Sequence, residues 1–276
     1  MKLEKGRNPL STILQLVDVW KSYDDMKALC GLNLEVFKGE IFGLVGPNGA
    51  GKTTCLKIIV GLLKMDKGSI TINGLDPTVH PYKYKRSIGY VPESVSLPDY
   101  LTVEELLIYS GKIREVPNEI LKQRIDSYLK IFDLEDKRET LILQLSRGMR
   151  QKTAMASALI HDPDLLILDE PLIGIDPAGQ HVIKEIFNMR IKENKTVFLS
   201  THMLDTAERM CNRVAIIHRG RNVATGDLRH LQSLSETGEN ATLEEVFLKL
   251  TEERGTEKKE QIDEQPKKRS LFDVFR

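Results

Sequence analysis

Two kinds of pattern alternate along this chain: short apolar runs that suit strands, and longer 3.6-residue repeats that suit helices. "TILQLVDVWKSY" (12–23) and "LNLEVFKGE" (32–40) predict early strands of mixed alternation, separated by a polar connection. "EIFGLV" (40–45) predicts a compact apolar strand, and "GPNGAGKT" interrupts it before a helical "TCLKIIVGLL" (54–63). Gly61 does not by itself fix the end of that helix. "MDKGSITING" (65–74) predicts a turn and a short strand, and "SIGYV" (87–91) a further strand.

The period then changes. "TVEELLIYSGKI" (102–113) opens with a capping box, Thr102 with Glu105, and "PNEILKQRIDSYLKIF" (117–132) places a proline at a helix start. A third helix is predicted from Ser146 through Ile160. Residues 94–160 therefore read as a mostly helical subdomain between β-rich segments. After Pro163 the βα pattern returns. "LLILDE" (165–170) and "TVFLST" (196–201) are buried strands flanking a helical "GQHVIKEIFNMRI", which favours a parallel sheet. "RVAIIHRG" and "RNVATG" predict a hairpin, and "ATLEEVFLKL" (241–250) a last helix with a second Thr-x-x-Glu cap. No internal repeat is visible.

Composition narrows the class. The 276 residues balance 40 basic against 40 acidic side chains, which argues against a dominant nucleic-acid or anionic-membrane footprint. "HPYKYKR" (80–86) is a local basic-aromatic patch, expected to be a solvated loop. Cys30, Cys55 and Cys211 have no zinc-like spacing and suggest buried thiols in a reducing compartment. The N-terminus has no long apolar stretch after its charges, and no run approaches the roughly 18 to 20 apolar residues of a membrane-spanning helix. A soluble chain is expected, with any membrane role supplied by a partner. Residues 1–9 and the charged 251–276 are expected to be flexible tails around a domain at 10–250.

The chemistry sits in three stretches. "GPNGAGKT" matches G-x-x-x-x-G-K-[ST] from Gly46 to Thr53, between a strand and a helix. Gly46, Gly49 and Gly51, with Pro47, Asn48 and Ala50 between them, permit a backbone nest whose amides surround phosphate oxygens. Lys52 is placed to neutralise phosphate, Thr53 to offer its hydroxyl to Mg2+, and Thr54 to add a phosphate contact. "LLILDE" carries two acids to a strand end: Asp169 suits magnesium, and Glu170 suits polarising a water for in-line attack. Alone, such a pair is also compatible with solvated or helix-capping acids. "LSRGMRQK" (145–152) sets a polar, positive segment at a helix start, where Ser146 is at least an N-cap.

In this order, and together with "IGIDP" (173–177) and "STH" (200–202), these motifs resemble the ATP-binding subunit of ATP-binding cassette transporters over residues 10–250. The resemblance implies an α/β phosphate-loop NTPase fold with a mixed-sheet core, an antiparallel β region and the helical subdomain. It implies a head-to-tail dimer with a second ATP-binding subunit, attached to integral membrane permease subunits on the cytoplasmic side of the cell membrane. Ser146 and the amides of Arg147 and Gly148 would meet the γ-phosphate of ATP held by the partner, and Asp176 would cross the interface. His202 would contact the γ-phosphate and orient Glu170 or water, and Tyr23 would stack on adenine. The commonest family form is LSGGQ; here Arg147 and Met149 replace glycine and glutamine. Glu93, in "YVPES", stands where the family often has glutamine, so metal contact carries over but an identical water contact does not. These departures look most like bacterial ABC-2-type export systems. The alternative is a cassette ATPase regulating a nucleic-acid or ribosomal machine, although the chain has no long coiled-coil insertion and one cassette.

Overall fold

The computed structural model describes residues 11–238 and 240–251. The tails expected at either terminus lie outside the described residues, except Thr251, which ends a helix. In chain order the elements are β1 (Thr12–Tyr23), β2 (Met26–Phe37), β3 (Ile41–Val45), α1 (Lys52–Ile59), β4 (Lys67–Ile72), α2 (Pro81–Arg86) and β5 (Ile88–Val91). Next come α3 (Val103–Ile113), α4 (Asn118–Ile131), α5 (Arg147–Leu159), β6 (Leu165–Asp169), α6 (Pro177–Lys192) and β7 (Thr196–Thr201). The chain continues through α7 (Leu204–Met210), β8 (Arg213–His218), β9 (Arg221–Gly226), α8 (Leu228–Ser235) and α9 (243–251).

Two sheets form. β2-β1-β4 is antiparallel, and β5-β6-β7-β3-β8-β9 is parallel except for the final β8–β9 hairpin. Every residue of β3, β6 and β7 is buried, as strands covered on both faces require. One face of the larger sheet meets α1 and the antiparallel sheet, through Phe42, Leu56, Ile167 and Phe198 among others. The other face meets α3–α6, where Leu107, Leu129, Met155 and Phe187 join Leu166, Leu168, Val197 and Leu199. The Phe42 and Phe198 rings stack across adjacent strands at 5.6 Å. Burial of each such side chain contributes roughly 1.5–3 kcal/mol. The helices of 94–160 thus share a core with the sheet. A smaller cluster at the β8 edge packs Ile216 against Leu231 of α8 and Val246 of α9.

Both predicted capping boxes form. Glu105 N donates to Thr102 Oγ1 while Thr102 N donates to Glu105 Oε2, and Thr242 with Glu245 repeats the exchange. Several expectations need correction. "HPYKYKR" is not a loop: Pro81 starts α2, the cations Lys83, Lys85 and Arg86 favour its C-terminal end, and buried Tyr84 anchors it by donating to Ile59 O. α1 stops at Ile59 rather than Leu63, because Gly61 turns left-handed (φ +74°) and closes the last turn. β2 begins at Met26, not Leu32; Gly31 at φ +75° breaks the alternation and hides the first half of the strand. The short α7 and α8 have no counterpart among the predicted elements, although Asp227 caps α8 and Leu228, Leu231 and Leu234 repeat along it.

The parallel order has one consequence for chemistry. β3, β6 and β7 all end at the same edge, where Val45 pairs with Thr201 and Asp169 with Ser200. Open α/β sheets bind ligands at that edge.

Candidate functional site

The phosphate loop leaves β3 and turns into α1 at that edge. A Cβ on Gly46 would come within 2.2 Å of Ile217 O, so the loop lies directly on β8. Gly51 caps α1 at φ +107°, where a Cβ would also approach Ala28 O at 2.6 Å. β2 therefore backs the loop, and Gly220, in the β8–β9 turn, donates its N–H to Ala50 O. Pro47, Asn48 and Gly49 are exposed at the loop crest, while Thr53 and Thr54 are half-buried in the first turn of α1.

Lys52 is buried and reaches back over the loop. Its Nζ donates to Gly46 O at 2.8 Å and to Pro47 O at 3.3 Å, and lies 3.8 Å from Glu170 Oε1. Burial pulls its proton affinity below the ordinary lysine value, opposed by the negative charges of Glu170, Asp169 and Glu93. All three predicted acids thus act electrostatically on one cation, with Glu170 the one in ion-pair distance. Burial and the neighbouring Asp169 charge push Tyr90 up to about 12.

The two acids at the end of β6 are held separately. Ser200 Oγ donates to Asp169 Oδ1, joining residues paired in the parallel register. Glu170 leaves the strand in left-handed backbone, φ +50°, and among the described non-glycine residues of that conformation it is the buried one. Successive strand residues point to opposite faces. The backbone turn at Glu170 brings its carboxylate to the same lysine that Asp169 influences. Glu170 Oε1 accepts from His202 N at 2.9 Å and lies 2.8 Å from His202 Nδ1; Oε2 accepts from Thr201 Oγ1 at 2.9 Å. His202 is partly exposed, with its side chain at 41% of full accessibility against 5% for Glu170. Glu93 is exposed just after β5.

The remaining predicted residues lie in other settings. Ser146 is the N-cap of α5, its Oγ accepting from Met149 N at 3.3 Å. Asp176 is the N-cap of α6, its Oδ1 accepting from Gly179 N at 2.6 Å. These two caps are neighbours through Arg147, whose guanidinium packs on Gly174: a Cβ there would lie 3.3 Å from Nε. Tyr23 is exposed at the tip of the β1–β2 hairpin, with Lys21 Nζ 5.9 Å from its ring centre. Ser200 and Thr201 were missed as site residues. Their signal was present in "FLST", two hydroxyl residues ending a strand, but their partners follow only from the strand register.

A phosphate loop between parallel strand and helix, faced by two acids from β6 across the intervening β7, defines a phosphate-loop NTPase. The model of the ABC transporter family matches residues 29–173. The Nod factor export ATP-binding protein I of Cupriavidus pinatubonensis is 38% identical over 218 residues, 79% of this chain and 67% of that protein. The solved ATP-binding subunit of an ABC transporter superposes with a TM-score of 0.83 at 34% identity, covering 87% of this chain and all of the other. A dimeric ATP-binding cassette in a post-hydrolysis state with ADP and Pi superposes at 0.70, with 27% identity over 79% of this chain and 99% of its own. The chain belongs to the ABC transporter family, as an ATP-binding subunit that hydrolyses ATP to power transport. These relatives favour transport over the nucleic-acid alternative.

Proposed function

We propose that this chain drives export of an ABC-2-type substrate, working on the cytoplasmic side of the cell membrane with separate membrane-spanning subunits. Among the described residues no helix is long and apolar enough to cross a membrane, so those subunits supply the path. The export direction rests on the relatives named for export.

The clamp on Glu170 carries the catalytic reading. A buried carboxylate fixed by His202 and Thr201, beside Lys52, is poised to take a proton from water attacking the γ-phosphate. Lys52 and the backbone N–H groups of 46–54, Pro47 excepted, bind the phosphates, and Tyr23 stacks on the adenine. Thr53 and Asp169 are hard oxygen donors of the kind Mg2+ prefers, and with Glu93 nearby they would hold the ion on the phosphates. When bound, Mg2+ neutralises charge on the β- and γ-phosphate oxygens.

A second subunit completes each site head to tail. The first-turn amides of α5 have no intrahelical acceptor, so those of Arg147 and Gly148 suit a phosphate of the partner's ATP. Asp176 crosses the same interface. The likeness to a dimeric cassette supports this arrangement. Copurification from mild detergent and reconstitution of the bound membrane proteins tests the whole reading. ATP turnover should rise in their presence and drive substrate across the vesicle membrane. Turnover indifferent to them would overturn it.

A further inference from the structure

The hydrogen bonds around Glu170 are unequal on its two oxygens. Each carboxylate oxygen offers about two lone-pair sites. Oε1 has two close donors, His202 N at 2.9 Å and His202 Nδ1 at 2.8 Å, with Lys52 Nζ at 3.8 Å beyond them. Oε2 has one, Thr201 Oγ1 at 2.9 Å. Thr201 Oγ1 in turn accepts from Met203 N at 3.0 Å. That bond occupies a hydroxyl lone pair and leaves the hydroxyl hydrogen directed at Oε2. Thr201 is 4% exposed, so bulk water does not stand in for this donor.

We infer that Thr201 is a positioning residue for hydrolysis, holding Glu170 so that Oε2 is the oxygen that receives the proton. This rests on the assignment of Glu170 as proton acceptor. In the step, an O–H bond of water breaks and its proton passes to the open lone pair of Oε2. The water oxygen bonds the γ-phosphorus, and the bond from that phosphorus to the β–γ bridging oxygen breaks. ADP leaves with the bridging oxygen, and Oε2 returns its proton to the departing phosphate. Thr201 transfers nothing. Its single hydroxyl keeps Oε2 half-occupied and fixed, while His202 fills Oε1. Without it only the two His202 bonds on Oε1 hold the carboxylate, and nothing fixes Oε2 about the broad terminal torsion.

The discriminating variants are Thr201→Val, which removes the hydroxyl and nearly keeps the shape, and Thr201→Ser, which keeps the hydroxyl. Steady-state ATP turnover of the full chain gives kcat and KM separately. A hydrogen bond to a charged group is worth on the order of 10- to 100-fold, so Thr201→Val should lower kcat by that factor with KM for ATP unchanged. Thr201→Ser should recover most of it. Equal loss in both variants would assign the threonine to packing and overturn the inference. Because Thr201→Val also removes a partner of Met203 N, it is repeated in the Glu170→Gln background. There the hydroxyl has no proton acceptor to position, and residual turnover should not fall further. A further drop of the same size would again overturn the inference. If Glu170→Gln itself hydrolyses ATP at the parental rate, the assignment of the base has failed. If Glu170→Gln is inactive and Thr201→Val is parental, the failure belongs to Thr201 alone.

Discussion

His202 Nδ1 and Glu170 Oε1 are 2.8 Å apart, and an ionised carboxylate can only accept, so the ring nitrogen carries the proton between them. A neutral ring then has Nε2 as an acceptor, while a charged ring offers a donor there as well. A contact between His202 and a phosphate oxygen would go through Nε2, the ring nitrogen that Glu170 leaves open. The proposed base and the proposed phosphate contact would thus be joined through one imidazole ring.

Glu170→Gln retains volume and finds compatible partners, because the Thr201 hydroxyl can accept from an amide as well as donate. It cannot take a proton. Nucleotide affinity should survive, a closed two-chain state should accumulate, and turnover should fall at least about 100-fold. Single-turnover cleavage recorded alongside dimer lifetime checks this.

Lys52→Ala and Ser146→Arg should fail differently. The first removes the buried cation that reaches Gly46 O and Glu170, and nucleotide binding to the single chain should drop. The second places bulk at the exposed cap of α5, which should spare binding but prevent ATP-driven association. Nucleotide titration and light scattering separate the two. Equal loss of binding in both would contradict the division of roles.

Asp169→Asn should weaken the magnesium-dependent part of nucleotide binding, since a neutral amide is a poorer ligand than carboxylate. Glu93 is exposed beside the same charges, and Glu93→Gln should leave that binding in place while changing stimulation by the membrane subunits. Binding isotherms with and without Mg2+, followed by reconstituted ATPase assays, report each effect.

His161 supplies a pH signature far from the nucleotide. Burial, then the nearby Arg114 charge, push its pKa from 6.5 down to about 4, although its Nε2 bonds Ile88 O at 3.0 Å. The folded chain keeps the ring neutral where the unfolded chain protonates it. Its stabilising contribution is therefore whole above about pH 6.5 and is lost as pH falls towards 4. Melting temperatures taken from pH 7 to 5 should fall more steeply in the parent than in His161→Gln. Parallel curves would remove His161 as the cause.

Most of the site was readable in advance because its pieces are local. The phosphate loop, the acids after "LLIL" and the caps at Thr102, Ser146 and Thr242 each declare themselves within a few residues. What stayed hidden depends on chain segments far apart. The pairing of Ser200 with Asp169 and of Thr201 with Glu170 spans 31 residues and needs the parallel register of β6 and β7. The packing of Arg147 on Gly174 likewise exists only after α5 and the 173–176 loop meet. α2 was hidden for another reason. Its helix rests on one buried tyrosine and a favourable end charge, too little apolar surface to leave a period.

The left-handed turn at Glu170 puts backbone and chemistry in competition. Glutamate in that conformation costs on the order of 1–2 kcal/mol, a cost that glycine avoids. Glycine at 170 would relieve that cost but would leave the buried Thr201 hydroxyl, His202 N and Lys52 without their carboxylate partner, and would remove the proposed proton acceptor. The same carboxylate therefore ties loop geometry, buried polar partners and proposed chemistry together, so melting temperature alone would not report what a substitution at 170 does to turnover.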